Sequence, residues 1–202
     1  SEQIINKLKP DLCLVVNWYW MVSDTLLDNV PYGFIGIHNS LLPKFRGGSP
    51  LIWAIINGEE DVGFSLFSFT PGMDDGPIWA QEKILVEEHD YISDIEKILE
   101  GKCIDVLREK YPEILSGLIS SVEQNHELST YCAQRFPKDG NIDWYKHAQY
   151  VYNFIRAQSD PYPGAFTYFN GRKLKIWKAK LLNKTYYGIP GQVARLTSDG
   201  AY

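Results

Sequence analysis

The chain has 202 residues, of which 45% are hydrophobic, 14% aromatic and 22% charged, and its formal net charge is −5. This composition is typical of a globular protein and argues against a dedicated nucleic-acid binder, which usually carries a basic face. Three widely spaced cysteines, Cys13, Cys103 and Cys132, form no CxxC pair, so we expect free thiols in a reducing compartment. No stretch has the pattern of a signal peptide or a membrane span, and we therefore expect a cytoplasmic protein.

Strand and helix patterns alternate at the start of the chain. A helix that stops at Pro10 is followed by a continuous apolar run, residues 11–20, which predicts a strand covered on both faces. A short helix beginning at Ser23 leads to a second buried strand, residues 33–38. Strand, helix and strand in this order predict a βαβ unit, and such sheets bind their ligands beyond the carboxyl ends of the strands. His38 lies at that predicted edge.

Further helices and strands are predicted up to residue 118. Ser49 and Pro50 carry the signals that begin a short helix. Two strands follow, at residues 62–70 and 78–86. From residue 94 to residue 118 the apolar positions have helical spacing, so we expect them to face the core, with an interruption near Pro112.

The character of the sequence changes after residue 120, where it becomes polar and loop-like. We therefore predict a core at residues 1–120 and a second unit at residues 121–202. The second unit is predicted to hold a helix, "QYVYNFIRAQ", a hairpin that turns at Asn170 and Gly171, and a strand in the tail "GIPGQVARLTSDGAY". The predicted fold is α/β with a small C-terminal β appendage.

His38 and the turn "GMDDGP" are the strongest candidates for chemistry. The turn holds Asp74 and Asp75 and follows the next strand, so we expect one of these carboxylates at the same sheet edge as His38. A carboxylate beside a histidine selects the imidazole tautomer and stabilises the protonated ring. The segment "KFRGG" adds Arg46 and glycines that let backbone approach a phosphate. The alternative is that both aspartates are ordinary turn residues and that "KFRGG" is a surface loop.

The sequence lacks the motifs of other classes of functional site. His89, His126 and His147 have no partner pattern and are interpreted as surface residues. The sequence has no HExxH or Cys/His cluster, no GxSxG turn and no GxGxxG after a strand, so we predict no metal site and neither a serine nucleophile nor a dinucleotide fingerprint. The aromatic run "NWYW" fits stacking on a flat ligand and packing in the core equally well.

The stretch "HNSLLPKFRGGSPLIWAIINGEEDVGFSLF", followed by "GMDDGPI", resembles the folate-dependent formyltransferases. Their pattern is Asn-x-His-x-Ser-Leu-Leu-Pro, then Arg-Gly-x-x-Pro, then an aspartate in a Gly-x-Asp-x-Gly turn. The residues that match it are His38, Ser40, Leu41, Leu42, Pro43, Arg46, Gly47, Pro50, Gly72, Asp74 and Gly76. The resemblance implies a Rossmann-like formyltransferase core, here without the family's first strand–helix units, and N10-formyltetrahydrofolate as the formyl donor without a metal.

The resemblance also implies roles for individual residues. His38 and Asp74 would assist the attack of an amine on the formyl carbon, and the family's asparagine would stabilise the oxyanion. Gly36 stands at that asparagine's position, and loss of one such donor slows chemistry by about 100- to 1,000-fold unless another group, such as Asn39, replaces it. The residues implied to bind folate are Trp20, Met21, Leu42, Pro43, Thr70 and Asp74. Those implied to bind the acceptor are Asn39, Ser40, Arg46 and Gly47.

The region from "RFPKDGNIDW" to "RKLKIW" resembles the part that follows the catalytic domain in formyltransferases of nucleotide-linked amino sugars. Methionyl-tRNA formyltransferases usually carry a larger C-terminal β-barrel, so a sugar nucleotide is the favoured acceptor. The alternatives are a methionyl-tRNA formyltransferase and an impaired relative that binds its ligands without turnover. The expected partners are thus folate and a sugar nucleotide of lipopolysaccharide or O-antigen synthesis, with no nucleic acid and no membrane, and a homodimer is a further expectation.

Overall fold

Five α-helices, eight strands and two short 3₁₀-helices (His126–Leu128 and Pro137–Gly140) form the described part of the chain, which is residues 2–202 of a computed structural model. The helices are α1 (Glu2–Leu8), α2 (Asp24–Asp28), α3 (Pro50–Ile56), α4 (Ile92–Leu115) and α5 (Ala148–Arg156). The strands are β1 (Cys13–Val15), β2 (Phe34–His38), β3 (Arg46–Gly47), β4 (Asp61–Ser68), β5 (Ile78–Leu85), β6 (Tyr131–Cys132), β7 (Ala165–Phe169) and β8 (Arg172–Ile176). The predicted α/β fold and its small C-terminal sheet, the β7–β8 hairpin, are confirmed.

The main sheet has the strand order β1-β2-β4-β5. Strands β1 and β2 are parallel, as the βαβ pattern predicts, whereas β4 runs antiparallel to both β2 and β5. His38, the last residue of β2, therefore lies opposite Ser65, and β4 ends at the other edge of the sheet. The prediction that β2 and β4 bring their carboxyl ends to one edge is wrong, because that rule holds for parallel strands.

One buried core joins the two parts of the chain. It packs Ile55 of α3, Phe64 of β4 and Ile95 of α4 together with Phe154 of α5 and Ala165 of β7. Burial of aliphatic and aromatic side chains of this kind is the main favourable contribution to folding. The segment after residue 120 thus packs on the core, and the domain boundary at residue 120 stays a prediction.

Strand β1 is shorter and more exposed than the apolar run predicts. One of its faces packs on α2 through Cys13 and Val15, while Leu14 on the other face is 44% exposed. The residues that follow it are exposed apolar side chains: Val16, Trp18, Tyr19, Trp20 and Met21. The prediction of a strand covered on both faces is wrong for the described residues, because the face that carries Leu14 is exposed.

Helix α4 differs from its prediction in continuity and in burial. It begins at Ile92 and continues through Pro112 to Leu115 without the predicted interruption. Its buried residues are Ile92, Ile95 and Leu99. Four apolar residues predicted to face the core are 38% to 51% exposed: Ile98, Ile104, Tyr111 and Leu115. The helical spacing was therefore a guide to the helix but not to the extent of its contact with the core.

The tail does not form the predicted strand. Within the described residues its only β contact is an isolated bridge between Leu196 and Ala201. No helix within residues 2–202 combines the length and the apolarity that crossing a membrane requires.

Candidate active site

The ring of His38, the last residue of β2, is held by the loop that follows this strand. The residue is 8% exposed, and its Nε2 lies 2.8 Å from the carbonyl oxygen of Phe45. A carbonyl oxygen only accepts, so Nε2 carries a proton and donates it to this bond. Phe45 adopts a left-handed backbone conformation, with φ of 58°, which is uncommon for a residue with a bulky side chain. Nδ1 is therefore the ring nitrogen left for chemistry.

The turn between β4 and β5 places Asp74 beside Nδ1 of His38. Oδ2 of Asp74 lies 3.6 Å from Nδ1, and the same oxygen accepts a hydrogen bond of 2.8 Å from the N–H of Gly47. Asp74 has φ of 50°, a conformation that aspartate tolerates better than most residues. The neighbouring Asp75 instead accepts a hydrogen bond from the hydroxyl of Thr70. The approach of Asp74 to His38 thus arises from the turn and not from a shared strand edge.

A buried glutamine connects this turn to the loop after β2. Gln124 is 6% exposed, and its Nε2 donates to the carbonyl oxygens of Asp74, at 2.9 Å, and Gly76, at 2.7 Å. Its Oε1 accepts from Nε and Nη2 of Arg46 at 3.2 and 2.6 Å. Sequence reasoning missed Gln124, because no local pattern links it to residues so far away in the chain.

Arg46 lies in the interior and is bound by the protein itself. It is 2% exposed, and it donates from Nη1 to the hydroxyl of Tyr131, at 3.2 Å, and from Nη2 to Nδ1 of His126, at 3.0 Å. The hydrogen bond from the guanidinium lowers the pKa of Tyr131. His126 is exposed, as predicted, yet its ring contacts Arg46, which the sequence did not indicate. The role of Arg46 in binding a substrate stays a prediction.

Ser65, on β4 opposite His38, orders the loop around residues 40–42. Its hydroxyl donates to the carbonyl oxygen of Ser40, at 2.7 Å, and accepts from the N–H of Leu42, at 3.1 Å. The side-chain amide of Gln81 donates to this hydroxyl, at 2.8 Å, and to the carbonyl oxygen of Leu42, at 2.7 Å. The backbone groups of Leu42 are therefore engaged in shaping the loop.

Replacing Ser65 with alanine is expected to destabilise the fold. The change leaves the buried N–H of Leu42 and the carbonyl of Ser40 without this partner, which costs about 1–3 kcal/mol in the free energy of unfolding. Urea denaturation measures the loss. Ser116→Ala, at the exposed end of α4, is the control and is expected to stay within about 0.5 kcal/mol of the wild type. An equal loss in both variants would contradict the role given to Ser65.

The other residues implied to bind ligands differ in exposure. Trp20 and Met21 are 69% and 56% exposed, and Pro43 and Thr70 are half-buried. Asn39 is exposed although His38 beside it is buried, as alternation along an extended chain requires. Asn39 is therefore a poor substitute for the family's asparagine.

Gly36 lies in β2, and an aromatic ring closes the space above it. A Cβ atom at Gly36 would lie 2.1 Å from Cε1 of Phe69, far inside van der Waals contact. The ring of Phe69 also packs on Phe67, with ring centroids 5.2 Å apart. Phe69 thus fills the space in which the asparagine side chain would begin. The glycine at the position of the family's asparagine is thus paired with a phenylalanine that covers it.

A groove of about 490 Å³ runs beside the loop and has the size of a small-molecule site. Its lining includes Phe45, Trp53 and Tyr131, as well as Lys44, whose Nζ lies 3.3 Å from a carboxylate oxygen of Glu59. Cys132 also lines it; burial, followed by the nearby charge of Asp74, raises the pKa of this thiol to about 12 and makes it a poor nucleophile. Among residues 2–202 no three His, Cys, Asp or Glu side chains are grouped to hold a metal ion.

Comparison with known proteins identifies the family. The formyl transferase family model matches residues 1–108, and the model of the formyl transferase C-terminal domain matches residues 136–202. The chain belongs to the formyl transferase family.

Individual relatives extend this result. The bifunctional polymyxin resistance protein ArnA of Wigglesworthia glossinidia brevipalpis is 38% identical over 189 residues, which cover 94% of this chain and 29% of that protein. The chain therefore spans less than a third of the length of this curated relative.

Solved structures at low identity share the fold. A sugar N-formyltransferase from Shewanella sp. has a TM-score of 0.76 at 21% identity, over 90% of this chain and 74% of that chain. HypX from Aquifex aeolicus in complex with tetrahydrofolic acid has a TM-score of 0.77 at 20% identity, over 99% of this chain and 36% of that chain. A methionyl-tRNA formyltransferase from Clostridium thermocellum has a TM-score of 0.74 at 22% identity, over 92% of this chain and 78% of that chain.

Proposed function

We propose that this chain transfers a formyl group from N10-formyltetrahydrofolate to the amine of a nucleotide-linked amino sugar. The observation that carries the proposal is the contact of 3.6 Å between Nδ1 of His38 and Oδ2 of Asp74 in a member of the formyl transferase family. Formyl transfer to an amine needs a group that takes the amine proton and a group that stabilises the oxyanion. Neutral His38 takes the amine proton, and the protonated ring, stabilised by Asp74, then donates to the oxyanion.

We assign the two ring nitrogens of His38 to different tasks. Nε2 holds the ring in place through Phe45, and Nδ1 accepts the amine proton as the amine nitrogen attacks the formyl carbon. The carboxylate of Asp74 stabilises the resulting imidazolium. His38 then returns the proton to N10 of the folate as the bond between the formyl carbon and N10 breaks. Because Gly36 has no side-chain donor, protonated His38 is the proposed side-chain donor to the oxyanion.

The proposed folate site lies between residues 18–21 and the turn that carries Asp74. The exposed rings in the first segment, among them Trp20, offer faces on which a pteridine stacks. The fold shared with HypX in complex with tetrahydrofolic acid supports a folate donor.

The proposed site for the nucleotide of the acceptor is the groove beside the loop. Trp53 and Tyr131 offer aromatic surface for a base, and Lys44 offers a cation for the diphosphate. The groove adjoins Phe45, whose carbonyl holds His38, so a sugar amine attached to this nucleotide lies near the imidazole. The fold shared with the Shewanella sugar N-formyltransferase supports this class of acceptor.

Replacing Lys44 with alanine tests the groove. Loss of one charge-assisted hydrogen bond is expected to raise the KM for the sugar nucleotide by about ten-fold and leave kcat within about two-fold. The control is Lys83→Ala, because Lys83 is also exposed and paired, with its Nζ 2.9 Å from Asp61. Steady-state kinetics at varied concentrations of the sugar nucleotide measure both values. The same KM in the two variants would contradict the placement of the nucleotide in this groove.

Formyl gain detected by mass spectrometry tests the function as a whole. The full-length protein is mixed with N10-formyltetrahydrofolate and a panel of amino-sugar nucleotides, with initiator methionyl-tRNA as a further acceptor. A formylated sugar nucleotide supports the proposal, and a formylated tRNA identifies the other branch of the family. Folded protein that binds folate and forms no product is the impaired relative, an alternative that the Gly36–Phe69 pair favours.

The reducing cytoplasm is the proposed compartment, and the homodimer stays an expectation.

A further inference from the structure

Asp74 depends on contacts from outside its own turn. It has a left-handed backbone conformation, with φ of 50°, and its neighbour Met73 is 49% exposed. A surface turn in such a conformation needs surrounding structure to hold it in one position. The contact of 3.6 Å between Asp74 and His38 therefore depends on what fixes the backbone of the turn.

Gln124 contacts this backbone with an amide whose orientation is determined by Arg46. A guanidinium only donates hydrogen bonds, so the side-chain atom of Gln124 that faces it must be the oxygen. The NH₂ group is thereby directed at the carbonyl oxygens of Asp74 and Gly76. A flipped amide would lose every one of these hydrogen bonds.

The segment that carries Gln124 is itself anchored to the sheet. Val122 pairs with Ile78, the first residue of β5, through two backbone hydrogen bonds of 2.8 Å. Gln124 therefore reaches the turn from a segment attached at the point where the turn rejoins the sheet. This is the arrangement expected of a residue that supports a reacting group from behind.

We propose that Gln124 is a positioning residue that holds Asp74 at its distance from His38. Gln124 is 6% exposed and acts through Asp74. The proposal rests on the proposed role of His38 and Asp74 in formyl transfer, and it adds the residue that sets their geometry.

Gln124→Glu keeps the hydrogen-bond acceptor of the side chain and removes its donor. The carboxylate still accepts from Arg46, but it places an oxygen against the carbonyl oxygens of Asp74 and Gly76, so the turn is pushed away. The expected result is a kcat about 10- to 100-fold lower, the range for a shift of the order of 1 Å at a reacting group, with the KM of the sugar nucleotide within about three-fold. The control is Gln149→Glu on the exposed face of α5, which is expected to leave kcat unchanged.

A double-mutant cycle shows whether the effect passes through Asp74. In the Asp74→Asn background, measured in single-turnover reactions, Gln124→Glu is expected to add less than about three-fold to the loss, because coupled residues are not additive. If the losses in rate of the two single variants multiplied in full in the double variant, the proposal would be overturned.

Hydrogen exchange gives a readout that does not need turnover. The N–H of Gly47 donates to Asp74, so its exchange is expected to be at least about ten-fold faster in Gln124→Glu, while amides of β4 stay as in the wild type. Unchanged exchange at Gly47 in folded protein would overturn the proposal even if no acceptor were found. If Gln124→Glu does not fold, Gln124→Asn replaces it, because its shorter amide cannot span Arg46 and the turn together. An inactive wild type contradicts the proposed function and leaves this exchange measurement to decide the role of Gln124.

Discussion

The variant His38→Ala is expected to lower kcat for formyl transfer by about 1,000-fold, within the range that general acid–base groups supply. The ring of His38 is the proposed proton-transfer group, with Nε2 on the carbonyl of Phe45 and Nδ1 beside Asp74. Asp74→Asn is expected to lower kcat by about 100-fold, because the imidazole remains and only its charged neighbour is lost. Initial rates of formyl gain at saturating substrates measure both losses.

His89→Ala is the matched control for this prediction. His89 is an exposed histidine in the loop between β5 and α4, and its replacement is expected to leave kcat unchanged. Thermal unfolding of the variants checks that each is folded. A kcat for folded His38→Ala within ten-fold of the wild type would show that the proton moves by another route.

Gly36→Asn, which restores the family's residue on its own, is expected to destabilise the protein. The new Cβ would meet the ring of Phe69, and overpacking of this kind costs about 1–3 kcal/mol. Gly36→Ala is expected to lose as much, because the clash begins at Cβ and not at the amide. Urea denaturation of the two variants measures the loss.

Replacing Phe69 with alanine is expected to relieve this clash. In that background Gly36→Asn should cost less than about 1 kcal/mol, since coupled neighbours are not additive. The double variant also regains a side-chain donor for the oxyanion, so its kcat is expected to exceed that of Phe69→Ala by about ten-fold or more. Full additivity in stability would contradict the packing account, and an unchanged kcat would show that the oxyanion has another donor.

Local patterns predicted the helices, the parallel β1–β2 pair and the hairpin well, because caps, turns and apolar spacing are properties of neighbouring residues. The exposed second half of α4 could not be predicted in this way, since helical spacing does not show how far the core extends. The antiparallel β4 is a matter of topology, because the segment between β2 and β4, which holds α3, is long enough for either relative direction of the two strands.

The candidate site was partly predictable for the same reason. The proximity of His38 and Asp74 was expected from a rule about parallel strands that does not apply here, and it arises from a turn that folds back. Gln124 and Phe69 were missed because their importance depends on contacts with residues distant in sequence or across the sheet. Gly36 was visible as a departure from the family pattern, but the ring that covers it was not.

The most direct test of formyl transfer by His38 and Asp74 compares the wild type with Asp74→Asn in one assay. The full-length protein is given N10-formyltetrahydrofolate with an isotopically labelled formyl group and the panel of amino-sugar nucleotides. We expect a labelled N-formyl sugar nucleotide with the wild type and about 100-fold slower formation with Asp74→Asn. Equal rates for the two proteins, or no labelled sugar nucleotide from folded wild type, would contradict this expectation.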